Sequence, residues 1–215
     1  MGVLLTEYLP NFGAGLRITA QLTAVAFVGA VILGVVLATF RISPVAPLRA
    51  AGTAYVEVFR NVPLFSLLIL VVYGLPEIGV NLGFIPSVTI AMTAVGAAFA
   101  CEVLRTGINA VGPGQVEAAR SIGLTFAGIV RHVVMPQAMR DMVQPTVSLF
   151  ISILLSSSLA GIVGVMDLTA QVSYINNREA LGLTTFLVAA AMYATIALGA
   201  GALGARLEDR VRVRR

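Results

Sequence analysis

Lysine is absent from this 215-residue chain, and all 14 of its cationic side chains are arginine. A phosphate-cradling P-loop uses its lysine to reach the outer phosphates, so the chain cannot supply an ordinary Walker A site. Any nucleotide that energised it would have to be held by another protein. A lysine Schiff base is excluded for the same reason. Cysteine and histidine are nearly as scarce, at one each, Cys101 and His132. A single cysteine permits no internal disulfide, and this pair is a poor start for a structural zinc site. His132 has no nucleophile nearby in the sequence to activate, which leaves hydrolytic chemistry without a foothold.

Charge is thin as well. Only 11% of residues are charged against 58% hydrophobic, with a mean hydropathy of +0.95, a balance that a soluble domain cannot keep off its surface. Uncharged stretches fall at 18–40, 61–76, 78–101, 142–166 and 180–205. A span needs roughly 20 apolar residues, so five transmembrane helices are predicted. Asn81, Gly83 and Pro86 divide the third stretch, and proline suits a first turn, so that helix is expected to start near Pro86. The second helix must then borrow residues upstream of Asn61, bringing Glu57 and Arg60 into or near the membrane. The first stretch is too long for a signal-peptide core and is read as a retained helix.

Arginine placement predicts orientation, because short cytoplasmic loops retain cationic residues. Arg41 and Arg49 lie between helices one and two, and Arg105, Arg120 and Arg131 between three and four. The tail 206–215 holds five more; the opposite loops hold little beyond Arg178, with Arg17 a minor exception. An outside N-terminus and an inside C-terminus satisfy this pattern. The arginine tail reads as a membrane anchor, and nucleic-acid binding is not expected.

The segment 114–140, GQVEAARSIGLTFAGIVRHVVMPQAMR, is polar and helix-compatible between apolar runs. Val116, Ala119, Ile122, Leu124, Ala127 and Ile129 recur at mixed three- and four-residue spacings, which predicts a short amphipathic helix or helix pair turning at Gly123. Glu117 falls in the first turn after Pro113-Gly114, where a carboxylate complements the helix dipole. On periodicity alone an ordinary amphipathic helix lying on the inner leaflet is the better reading.

The spacing Glu117-Ala118-Ala119, then Gly123, then Pro136 resembles the EAA loop of ABC-importer permeases. Arg60-Asn61-Val62-Pro63 and Pro136-Gln137-Ala138-Met139-Arg140 resemble the polar amino-acid branch of that family, and the likeness runs from about Arg17 to Gly204. The resemblance implies one all-α permease domain over 1–215 with the type I importer fold and a cytoplasmic coupling loop at about 106–135. It further implies a bacterial cytoplasmic-membrane location, a second permease chain, identical or homologous, and an extracytoplasmic substrate-binding protein. A cytoplasmic ATPase dimer would hold ATP and Mg, with no cofactor on this chain, and the cargo would be glutamate, glutamine or a basic amino acid. Glu117, Ala118, Ala119, Gly123 and Pro136 would then form the ATPase-docking lever.

The candidate route lies elsewhere. Glu57 and Arg60 stand three residues apart on one helix face, as do Glu102 and Arg105, and such pairs neutralise each other locally. Glu102 and Arg105 read as a cytoplasmic-end anchor. Arg60 lies deeper, just before Pro63, which disrupts a helical turn, so it either lines a route or ties helices together. Ser156, Ser157 and Ser158 interrupt the fourth stretch at mid-depth, the mark of a broken helix facing a cavity or of close helix packing. Many related permeases carry lysine at the start of this motif where Leu155 stands here. The competing readings are a membrane scaffold or assembly factor that recruits a soluble partner, and an ion-coupled carrier. Against the carrier stands the lack of an inverted repeat or paired membrane carboxylates.

Overall fold

The computed structural model describes residues 7–211, which are helical over most of their length. Four helices are long and apolar enough to cross a membrane: α1 (Leu9–Ile42), α4 (Phe84–Asn109), α7 (Val143–Val163) and α9, which spans Leu183–Val211. Between α1 and α4 lie α2 (Ala46–Asn61) and α3 (Leu64–Glu77), an apolar pair bent by 103° at its junction, which brings the number of passes to five when counted as one broken span. The remaining elements are α5 (Pro113–Ser121), α6 (126–141) and α8 (Leu168–Glu179). The tail residues Arg212, Arg214 and Arg215 lie outside the described residues, and residues 206–211 continue α9.

The second pass is two helices where one was expected. Val62, preceding Pro63, is forced into extended backbone, and Asn61 Nδ2 donates back to the Glu57 carbonyl at 2.6 Å in the last turn of α2. Prolines also shape helices that continue through them. Pro76 and Pro136 each follow a widened π turn, Leu70–Gly74 and Val130–Val134, because proline has no N–H and its ring displaces the carbonyl behind it. Gly83, at φ +77°, turns the chain into α4, which starts at Phe84 and carries Pro86 in its first turn.

Small residues let α1 and α4 run together in parallel. A Cβ on Gly34 would stand 2.6 Å from Ala100 Cβ, and one on Gly96 would stand 2.9 Å from Ala30 Cβ. In lipid no hydrophobic force draws helices together, so such close approach is what makes the contact favourable. α7 runs antiparallel to α4, with Ile153 beside Gly96 and Met142 against Gly107, while α9 returns parallel to α1 and seats Gly204 on Val147. The ends of α1, α4 and α9 therefore gather at one pole, with α5 and α6. That pole carries Arg41, Arg105, Arg120 and Arg131.

The opposite pole holds a helix where a loop was expected. Asp167, fully buried, caps α8 by accepting from Ala170 N at 2.9 Å, and receives the Tyr193 hydroxyl at 3.2 Å. Burial pushes the Asp167 carboxyl above its ordinary value, against the lowering effect of these hydrogen bonds. Leu168, Val172 and Ile175 form the buried stripe of α8, packed with Phe12, Leu154 and Tyr193. Arg178 thus sits on a folded helix, with its guanidinium 4.8 Å over the Tyr174 ring.

Candidate functional site

Two cavities adjoin along the face shared by α4 and α7. One, of about 230 Å³, is lined by residues including Arg60, Met92, Gly96, Phe99, Ser152 and Ser156. The second, about 370 Å³ and more open, continues past Phe99, Leu149 and Ser152 to Glu102, Thr106 and Pro145. On α4 the sequence 92, 96, 99, 103, 106 is a helical stripe, and on α7 so is 145, 149, 152, 156. The fourteen steps from Met92 to Thr106 rise about 21 Å at roughly 1.5 Å per residue, so the two cavities form a groove along most of a membrane's apolar thickness.

Of the expected route residues, the structure brings Arg60 and Ser156 onto this groove and leaves the others off its lining. Glu57 is exposed on α2, and Pro63 forms the bend. Ser157 is fully buried and donates to the Leu154 carbonyl at 2.6 Å, while Ser158 donates to the Leu155 carbonyl at 2.7 Å. These bonds hold the carbonyls where α7 tightens into a 3₁₀ turn over Ser157–Val163. Leu155, 47% exposed, also lies off the groove.

Arg60 does not pair with Glu57. Its Nη1 lies 3.5 Å from Glu102 Oε1, the atom that Arg105 approaches at 3.6 Å and that Arg41 contacts most closely. Arg60 also sits 5.8 Å over the Phe99 ring. The local pairs expected from sequence are thus replaced or joined by a cluster drawn from α1, α2 and α4. Arg41, Phe99 and Ser152 had no signal in local spacing, although the apolar-to-hydroxyl stripe on α7 is visible once its facing helix is known.

The segment 113–141 forms the expected helix pair, α5 and α6. Gly123 closes α5 at φ +84°, with Leu124 N donating to Ala119 O at 3.1 Å and Gly123 N to Arg120 O at 2.9 Å, a Schellman motif that calls for a left-handed residue. Thr125 Oγ1 then caps α6 through Gly128 N at 3.3 Å. Ala119 is buried, whereas Glu117, Ala118 and Pro136 are exposed. Flanking Gly123, Ile122 is 79% and Phe126 78% exposed. A Cβ on Gly107 would stand 3.1 Å from Ala138 O, so α6 is seated directly on the end of α4.

A bundle of four long apolar helices and one bent apolar pair, with a groove along its long helices and a folded hairpin at one pole, has the make-up of a membrane permease. Residues 30–213 match the family described as binding-protein-dependent transport system inner membrane component, and the chain belongs to that family. It is a multi-pass ABC-importer permease of the cytoplasmic membrane. Among its relatives is the probable glutamine ABC transporter permease protein GlnM of Bacillus subtilis, 34% identical over 88% of this chain and 90% of the relative. The glutamate transport system permease protein GluC of Corynebacterium efficiens is 31% identical over the whole of both chains. A crystal structure of an amino acid ABC transporter with histidines superposes with a TM-score of 0.92 at 32% identity, covering 97% of each chain. The MetNI methionine ABC transporter, at 22% identity and a TM-score of 0.79 over 97% of this chain and 99% of that one, shares the fold.

Proposed function

We propose that this chain carries a polar amino acid into the cell along the α4–α7 groove and uses the α5–α6 hairpin to receive work from a separate ATPase dimer. In this reading the hairpin pole is cytoplasmic, in line with the arginines gathered there. ATP and Mg reside on the ATPase, a second permease chain covers the open groove, lipid surrounds the remaining faces, and an extracytoplasmic binding protein delivers cargo to the opposite pole. Glutamate, glutamine and basic amino acids are the cargo class.

The observation that carries the reading is the pair Ile122 and Phe126, two large apolar side chains held out beside a rigid turn. A free surface helix gains nothing from presenting them to water, but a docking element gains a buried anchor, where most binding energy concentrates. Glu117 and Ala118 lie on the same hairpin, and the contact of α6 with the end of α4 gives a route for motion into the membrane helices. A pure scaffold has no use for the groove.

The test is ATP-driven uptake of labelled amino acids by the complete system. Ile122→Ser with Phe126→Ser, Glu117→Lys and Gly123→Asp are each expected to abolish uptake or ATPase co-purification while the chain stays in the membrane. Full uptake in all three variants would refute the docking role.

A further inference from the structure

Positive charge is in surplus around Glu102, at the inner face of the groove. Arg41, Arg60 and Arg105 share the single carboxylate of Glu102, all directed at its Oε1, so three cations face one anion. No other ionisable side chain among the described residues lines either of the two adjoining cavities, where Arg60 stands in one, Glu102 in the other and Phe99 in both. Arg41 is largely buried against Glu102, whereas the Arg60 side chain is 44% exposed and free to meet something else. A concave site with low-dielectric walls strengthens such a field, attracting anions and repelling cations.

We infer that Arg60 binds the carboxylate of an anionic or zwitterionic amino acid passing through the groove, and that the groove rejects amino acids of net positive charge. This narrows the cargo class of the proposed importer to the acidic and neutral members, and rests on that reading. The planar guanidinium fork matches a carboxylate in two parallel hydrogen bonds. Ser152 and Ser156, on the facing helix and in the same cavity, supply hydroxyl partners for the ligand's other polar groups. The cavity, about 230 Å³, lies below the roughly 300 Å³ at which drug-sized pockets begin and suits one small molecule.

Equilibrium binding of labelled L-glutamate to the permease–ATPase complex, in phosphatidylcholine nanodiscs that exclude anionic lipid, tests this without the selectivity of a binding protein. Unlabelled L-glutamate is expected to compete and L-arginine to fail at a hundredfold excess. Removing one unit charge in contact with a carboxylate at an effective dielectric of about 20 would weaken binding by up to roughly a thousandfold, and solvent screening of the 44% exposed Arg60 reduces this, so Arg60→Gln should lose at least about tenfold. Arg60→Lys, which keeps the charge, should recover most of it, and ATPase co-purification checks that both variants assemble. No binding of either labelled L-glutamate or labelled L-glutamine at 10 mM ligand, effective competition by L-arginine, or an Arg60→Gln complex with unchanged affinity would each overturn the inference. ATP-driven uptake of another amino acid by the complete system would leave the importer reading standing in those cases.

Discussion

Replacing Glu102 by glutamine removes the only anion from a cluster of three arginines, and the structure ranks what each of them loses. The Arg41 side chain is 14% exposed and makes the closest contact, so it approaches a buried pair, where deleting one partner costs about 3–5 kcal/mol. Arg60 and Arg105 stand at 3.5 and 3.6 Å with side chains 44% and 34% exposed, so solvent screening holds each of their losses to about 1 kcal/mol or less. The Arg41 term dominates. With roughly 2–4 °C lost per kcal/mol in a chain of this size, the midpoint of thermal unfolding in detergent should fall by about 10 °C. A double-mutant cycle sharpens the test: coupling between Arg41→Met and Glu102→Gln should exceed that between Arg60→Met and Glu102→Gln by about 2 kcal/mol. A Glu102→Gln protein melting within about 2 °C of the wild type, or a larger coupling to Arg60 than to Arg41, would refute this ranking.

Other consequences follow from particular contacts. Gly34→Val should cost about 2–3 kcal/mol, since its Cβ would meet Ala100 Cβ at 2.6 Å and the Cys101 backbone N at 3.0 Å, whereas Gly13→Ala, with open space around it, should be near neutral. Equal melting of the two variants would contradict the close α1–α4 seam. Asp167→Ala, which strips the cap of α8 and the acceptor of the Tyr193 hydroxyl, should cost about 1–3 kcal/mol by the same measurement. Because the Asp167 carboxyl is raised in the folded chain, the unfolded chain gives up its proton first as pH rises from about 3.9. Over the interval up to the folded value the wild type should therefore lose stability relative to Asp167→Asn, and parallel pH profiles would count against the buried carboxyl.

Much of the architecture was legible in local pattern. Gly123 was readable as a turn because only a residue tolerant of positive φ closes a Schellman motif, and Pro63 as a break because proline constrains the residue before it. α8 was missed although Asp167 followed by Leu168, Val172 and Ile175 is a cap and a helical stripe, since its polar face between two apolar runs reads as a loop. Of the serine triplet in α7, Ser156 reaches the groove, while Ser157 and Ser158 satisfy carbonyls of their own helix.

Composition and spacing by themselves determined membrane residence, the long apolar helices, the turn at Gly123 and the lack of a lysine for nucleotide phosphates. Periodicity says which residues share a face of one helix. It does not say how that helix is rotated against its neighbours or which side chain on another helix arrives opposite. Those choices follow from the small-residue seam that sets α1 on α4 and from the packing of α2 against α4, which Tyr55 fixes by donating to the Ala94 carbonyl and which sets Arg60 beside Glu102. The groove and the cluster of three arginines at Glu102 belong to the tertiary structure, because they are made of residues that meet only when separate helices pack.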